Sequence, residues 1–232
     1  MTLSDIFDQL AYGEFSKINL GESGAIPQAS WNRIITHINL GLTELYKRFD
    51  LKQVELPIEV VAGTLDYDLK GEGDFIEIMH VFNSDNVEIP LNNRVTSISK
   101  EWGAAQPIVD RVHTNIPSVL SVNPQMIPQV LTVVYKAGHV AIPKIADNEL
   151  DGFDLTSVEI ELPVTYLEAL LYFVASRVFN PMDQGSIQNR QPFHSGNNYY
   201  SKYEAACAQL MAKGLDISES LETGLFQRKG FI

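Results

Sequence analysis

Residues 31–60 read WNRIITHINLGLTELYKRFDLKQVELPIEV, and the spacing of the apolar residues changes within this stretch. Up to Phe49 the apolar residues recur at every third or fourth position, which is typical of one face of an α-helix. Over 54–60 they alternate with other residues, which is the period of a half-buried β-strand. The stretch therefore predicts a helix over 31–50, with Ser30 as its N-cap, that leads directly into a strand-rich region.

Strand signals continue after this point. Short runs of β-branched and apolar residues near 75–82, 118–123 and 130–136 are separated by turn residues such as Gly, Asn and Asp. Strands at this close spacing are typical of a small antiparallel sheet or barrel. The region ends in an acidic connector, residues 144–161, whose one basic residue is Lys144. The connector carries six carboxylates, which are Asp147, Glu149, Asp151, Asp154, Glu159 and Glu161.

Helical periodicity returns after the connector. Proline is favoured in the first turn of a helix, so Pro163 is expected to open a helix that runs to about Val178. A last helix spans about 196–213 and stops at Gly214, and a short helix over 2–12 precedes the long one. None of these helices can bury its apolar stripe alone, so we expect them to pack together as a bundle.

The order of the elements predicts an α+β fold. A helical bundle is formed by the N- and C-terminal helices, and an antiparallel β subdomain is inserted between them. The predicted boundaries are 1–53 and 162–214 for the bundle, 54–161 for the β-rich insertion and 215–232 for an extended C-terminal tail.

Composition limits the classes of function. The chain has 232 residues, of which 45% are hydrophobic, and it can bury a sizeable core. Its net charge of -12 argues against tight binding of duplex nucleic acid, because phosphate recognition needs clustered Lys and Arg. The single cysteine excludes an intramolecular disulfide framework. Without a leader pattern or an apolar run of roughly 20 residues, we expect a soluble protein made in the cytoplasm.

The sequence contains no recognisable catalytic, cofactor or metal motif. The spacing of its five histidines matches no metal site. Cys207 lies on an apolar helix face, where a small core residue is more common than a nucleophile. We therefore expect no enzyme, no cofactor and no metal. The histidines are His37, His80, His113, His139 and His194.

Three groups of residues remain as candidates for binding. The acidic connector is either a cation site or a solvated face, and the lack of calcium-loop spacing favours the face. Tyr199, Tyr200 and Tyr203 fit core or interface aromatics better than a stacking platform, which needs a basic groove. Apolar residues past the last helix either fold back or dock into a partner. The tail residues proposed to bind a partner are Leu225, Phe226, Arg228, Lys229, Phe231 and Ile232.

Four segments together resemble a known family. They are TLSDIF at 2–7, WNRIITHIN at 31–39, LPVTYLEAL at 162–170 and YYSKYEAACAQL at 199–210. In type and order they resemble the helices of the head-to-tail adaptor, or head-completion, proteins of tailed bacteriophages. The resemblance covers roughly 1–50 and 160–214, and the β-rich insertion contributes least to it.

The resemblance implies a structural virion protein at the neck of a phage. It implies a ring, commonly of about a dozen copies, that docks on the portal protein, with the β subdomain towards the tail nozzle or tail tube. The helical bundle would build the ring and touch the portal, and DNA would pass through the lumen without specific binding. Because of their apolar area past the last helix, we also expect the tail residues above to bind the portal. We also expect four connector carboxylates to line or flank the path of the DNA and to repel it. They are Asp147, Glu149, Asp151 and Asp154.

Two other functions stay open. The first is a carbohydrate- or peptide-binding β module on a helical stalk, which would need exposed aromatic residues on the sheet. Tyr67, Phe75, Phe82 and Tyr135 are the candidates for that surface. The second is a small cytosolic enzyme, which would need a concave pocket with a perturbed His–carboxylate pair.

Overall fold

The computed structural model describes most of the chain and confirms the mixed α+β class, with four α-helices and two three-stranded antiparallel sheets in the described part. Two compact units share the chain, a helical unit of residues 1–49 and 139–232 and a β unit of residues 50–138. The described residues are 1–16, 25–72, 74–92, 112–114, 116–122, 129–146, 148–179 and 191–214, with the side chains of 72 and 191–197 excepted.

The helical unit contains α1 (Leu3–Gln9), α2 (Trp31–Arg48), α3 (Leu167–Val178) and α4 (Gln191–Ala212). A capping box begins α1, in which the backbone N–H of Thr2 donates to Asp5 Oδ2 and the N–H of Asp5 donates to Thr2 Oγ1. A π-helical turn then extends it over Leu10–Glu14.

Short 3₁₀ turns precede two of the helices; α2 starts at Trp31 as predicted, whereas the start of α3 is shifted. Ser30 does precede α2, but its side chain makes no capping hydrogen bond, and it closes a 3₁₀ turn over Gln28–Ser30 instead. Pro163 likewise precedes a 3₁₀ turn over Val164–Tyr166, so α3 begins only at Leu167. A proline fixes an extended or first-turn backbone, but it does not decide whether the turn that follows is 3₁₀ or α.

The core of the helical unit is built on α2. Its buried residues are Ile34, Ile35, Ile38, Gly41, Leu42, Leu45 and Tyr46, which follow the predicted stripe. Helix α3 packs closely against α2 at Gly41. A Cβ added to Gly41 would lie 2.7 Å from Leu170 Cδ1 and 2.9 Å from Phe173 Cδ1. The ring of Phe173 in turn meets that of Tyr203 on α4 edge to face, with centroids 5.2 Å apart.

The β unit contains two sheets around one core. The first has the order β1–β6–β3, from Gln53–Glu59, Val130–Ala137 and Phe75–Phe82. The second has the order β2–β5–β4, from Asp66–Asp68, Val119–Val122 and Val112–His113. Both sheets contribute to a single buried cluster that includes Ile58, Val81, Val112, Leu120, Leu131 and Val133.

Strand β1 is an edge strand of the described sheet, and its outer side has features that discourage pairing. The N–H of Val60 donates to Gln129 and Lys52 accepts from Ala137, so the backbone groups of even-numbered residues face β6. Pro57, which has no N–H, therefore stands on the outer side, where an edge strand tolerates proline. Exposed Glu55 and Glu59 flank it, and such residues discourage the addition of a further strand.

The segment 139–161, which we predicted to end the insertion, belongs to the helical unit. Its first part is extended but pairs with helix side chains rather than with a strand. An extended backbone shows the same alternation in either case, so the sequence pattern does not reveal the partner.

Candidate functional site

The acidic connector and the residues just before it are held along α2 by two asparagine side chains. The Asn39 amide donates to the carbonyl of Ile142 and accepts from its N–H, at 2.9 Å each. The Asn32 amide does the same with Ile145, at 2.8 and 2.9 Å. The two asparagines lie seven positions apart, on one face of the helix. They fix the direction of the chain, which runs towards the N-terminal end of α2.

The carboxylates of the connector that the structure describes are exposed. Gln28 Nε2 donates to the carbonyl of Leu150 at 3.3 Å, which places Glu149 and Asp151 near the start of α2. Asp154 accepts from the hydroxyl and the N–H of Thr156, and these bonds lower the pKa of its carboxyl. The connector is therefore an ordered acidic surface as far as it is described, and Asp147 lies outside the described residues.

The tail residues that we predicted to bind a partner, Leu225, Phe226, Arg228, Lys229, Phe231 and Ile232, also lie outside the described residues. The helix before them ends as the sequence predicts. Helix α4 stops at Ala212, and Gly214 has φ +65, the left-handed conformation that follows many helix ends.

An open groove of about 390 Å³ lies among α2, α3 and α4. Buried Phe173 and Tyr203 belong to its lining, and Tyr200, which is 46% exposed, adds a third ring. We call this the α2–α4 groove. Its lining residues are Glu44, Lys47, Arg48, Phe173, Arg177, Tyr200, Tyr203 and Glu204.

The groove has one more cation than it has carboxylates. Arg48 Nη1 donates to Glu204 Oε2 at 2.8 Å, and Lys47 Nζ lies 3.7 Å from Glu44 Oε1. Arg177 forms no ion pair with any residue that the structure describes. Its guanidinium lies over the ring of Phe173, 5.0 Å from the centroid. The lining is therefore positively charged, although the chain as a whole has a net charge of -12.

Sequence reasoning missed this groove. We expected no basic groove beside the tyrosines, yet the fold brings Lys47, Arg48 and Arg177 next to Tyr200 and Tyr203. The residues come from three helices that are far apart in the chain, so no local pattern could reveal it. Basic residues at 47 and 48, in the last turn of a predicted helix, were the one available signal, and they are equally explained by the helix dipole.

Neither Tyr203 in the groove nor Cys207 next to it is suited to nucleophilic catalysis at neutral pH. Burial raises the pKa of the Tyr203 phenol, and burial likewise raises the pKa of the neighbouring Cys207 thiol. Both groups therefore stay protonated, and a protonated thiol is a poor nucleophile. Cys207 is fully buried, as expected for a small core residue.

The histidine side chains that the structure describes are dispersed. Burial, followed by repulsion from Arg33 and Arg177, lowers the pKa of His37, and His80 on the half-buried strand β3 pairs with Glu88 at 2.8 Å. Within the described ranges, no three His, Cys, Asp or Glu side chains lie close enough to share a metal ion. The α2–α4 groove has no histidine in its lining, so it is not the His–carboxylate pocket that an enzyme would need.

The aromatic residues proposed for a carbohydrate- or peptide-binding sheet do not form an exposed platform. Tyr135 is buried, and Tyr67, Phe75 and Phe82 are only partly exposed. Tyr67 and Phe75 pack against the core of the β unit. A stacking surface needs ring faces open to the ligand, and these four residues offer little of that area.

The comparisons with known proteins agree with the resemblance seen in the sequence. No curated protein matches the chain at a significant level. Among the described helices, none has both the length and the apolar character needed to cross a bilayer. The sequence model of the SU10 adaptor protein family matches residues 1–222, which covers both units and stops before the proposed tail residues. A match over nearly the whole chain shows that this protein belongs to the SU10 adaptor family of phage head-to-tail adaptor proteins.

Proposed function

We propose that the protein forms a closed ring of about a dozen copies at the neck of a phage particle, between the portal protein and the tail nozzle or tail tube. The observation that carries this proposal is the family match over residues 1–222. Cyclic assembly by one repeated contact is the ordinary way in which identical chains form a ring. The lumen of the ring would let DNA pass during packaging and ejection.

The two units would have different partners in this assembly. The helical unit would build the ring and meet the portal, because it carries the charged surfaces described above. The β unit would face the tail. Its edge strand β1 is blocked by Pro57 and flanked by carboxylates, so we expect it to meet the tail through its loops rather than by sharing a strand.

The tail residues would bind the portal. Leu225, Phe226, Phe231 and Ile232 are apolar, and each could contribute about 1.5–3 kcal/mol if it became fully buried. Arg228 and Lys229 could pair with acidic groups of the portal. Because ordering a segment opposes binding, one copy would bind reversibly, and the ring would bind strongly through many copies.

The acidic connector would lie along or beside the path of DNA. Asp147, Glu149, Asp151 and Asp154 are the residues that we assign to it, and the last three are exposed. Like charges would keep a passing polyanion from adhering to the ring. The net charge of -12 supports this proposal in the same way.

Imaging of intact particles and of isolated neck complexes tests the proposed function. We expect cyclic symmetry at the neck, with one copy of this chain in each repeating position. A head mutant that lacks the portal protein is the matched control, and it should carry none of this chain. A stable monomer or dimer at the neck would contradict the ring, and a position elsewhere in the particle would contradict the adaptor role.

A further inference from the structure

We infer that the α2–α4 groove of one copy binds the acidic connector of the neighbouring copy, with Arg177 facing the carboxylates of Glu149 and Asp151. The inference rests on the proposed ring and names the contact that would close it. It starts from two features of the helical unit, the groove with its surplus cation and the exposed carboxylates beside Leu150.

The groove and the carboxylates beside Leu150 lie at different levels along α2. Glu44, Lys47 and Arg48 belong to the last turns of α2, whereas Leu150 is bound by Gln28 just before its first turn, roughly 25 Å away at about 1.5 Å per residue. Arg177 lies nearer to the middle of α2, over the ring of Phe173, which packs at Gly41. Within one copy Arg177 forms no ion pair with the described carboxylates of the connector, so a contact between the two features is one between two copies.

Such a contact has the geometry that a ring requires. Each copy presents a different surface to each of its two neighbours, and repetition of one head-to-tail contact closes a ring when the rotation permits it. Asn32 holds Ile145 of the connector to α2 and Gln28 holds Leu150 just before that helix, and α2 also contributes three residues to the groove lining.

The chemistry of the groove suits a carboxylate better than a nucleic acid. Two of its three cations already face Glu44 or Glu204, which leaves one guanidinium, Arg177, for an incoming group. A planar guanidinium binds a carboxylate through two parallel hydrogen bonds. A strand of nucleic acid would instead meet two carboxylates in the groove, and its repeated phosphates need several clustered cations.

A charge-reversal cycle tests the contact in the assembled neck complex. Arg177→Glu alone, and Glu149→Arg with Asp151→Arg, should each reduce the number of copies retained on portal-bearing heads about tenfold or more. The triple variant should restore most of the loss, because the charges are again opposite. Lys213→Glu is the matched control for charge, since this exposed residue lies outside the groove lining, and it should leave retention unchanged.

The melting temperature of each variant shows whether it is folded. Arg177→Gln provides a second variant, which loses the charge and keeps a similar side-chain shape.

If wild-type copies form a ring and neither reversal weakens it, the inference is wrong while the proposed function stands. If reversal at Glu149 and Asp151 leaves the ring intact but makes it bind a 30-base-pair duplex, these residues face DNA, and the inference is also wrong. If the wild type binds labelled oligothymidylate, the Arg177 variant does not, and assembly is unchanged, the groove is a nucleic-acid site and the inference is wrong. If wild-type copies form no ring, the proposed function itself fails.

Discussion

The side-chain amide of Asn39 replaces a β-strand partner for Ile142, since it donates to the carbonyl and accepts from the N–H of that residue at 2.9 Å each. The chain that leaves the β unit is thereby fastened to the middle of α2. A backbone segment that is partly buried needs partners for both groups, and here one amide supplies both.

Asn39→Ala should therefore destabilise the helical unit by about 1–3 kcal/mol, because it leaves two backbone groups of Ile142 without partners. Urea unfolding followed by circular dichroism measures the loss. Thr36→Ala is the control, since the exposed Thr36 hydroxyl donates to the carbonyl of Asn32 in its own helix, and it should change the free energy of unfolding by less than about 0.5 kcal/mol. Equal losses in the two variants would show that the amide contributes nothing specific.

Gly41 permits the close contact between α2 and α3. Gly41→Ala would place a Cβ within 3 Å of buried Leu170 and Phe173. Overpacking costs about 1–3 kcal/mol, and the better helix propensity of alanine offsets up to about 1 kcal/mol of it. We expect a net loss of about 1–2 kcal/mol in a thermal or urea titration. Gly13→Ala, which meets no atom within 4 Å, should not destabilise, and a rise in melting temperature for Gly41→Ala would contradict this account of the packing.

The sequence predicts elements whose period is local. The change from helical to alternating spacing places the end of α2 and the start of β1 within two residues of Arg48 and Gln53. The same reasoning could not find the fastening of Ile142, because an extended segment has one pattern whether a strand or an asparagine pairs with it. It also could not find the α2–α4 groove, because Arg48, Arg177 and Glu204 meet only after three helices have packed.

The β unit contains a buried ion pair whose loss should be costly. Lys136 Nζ lies 2.8 Å from Asp50 Oδ1, and the side chains are only 5% and 7% exposed. Asp50→Ala leaves Lys136 without this buried partner, which should cost about 3–5 kcal/mol. The double variant Asp50→Leu with Lys136→Met should recover most of the loss, because it removes both charges together.

Glu77→Ala is the control for that pair, because Glu77 lies 3.9 Å from the same Lys136 but is 58% exposed. An exposed partner contributes about 0–1 kcal/mol, so a small change is expected in equilibrium unfolding. If Asp50→Ala is as mild as Glu77→Ala, the pair is more hydrated in solution than its burial indicates.

Tyr199 should make stability depend on alkaline pH. Burial, followed by a hydrogen bond to Glu14, raises the pKa of its phenol from 10.0 to about 12. A raised pKa means that the folded state holds the proton more tightly. The contribution is therefore complete below pH 10 and is lost as the pH rises towards about 12. The difference in unfolding free energy between wild type and Tyr199→Phe should shrink between about pH 10 and about pH 12. A difference that stays constant over this range would contradict the account.

The tail should be needed for attachment and not for folding. Helix α4 already ends at Ala212, and Gly214 has the conformation that terminates a helix, so no later residue is required to complete it. Deletion of residues 222–232 should leave the melting temperature nearly unchanged and abolish binding to portal-bearing heads. Replacing Leu225, Phe226, Phe231 and Ile232 by serine keeps the length and should have the same effect, because the apolar area supplies the binding free energy. If either variant instead melts at a much lower temperature, these residues belong to the core of their own copy, and the portal contact must be sought on the helical unit.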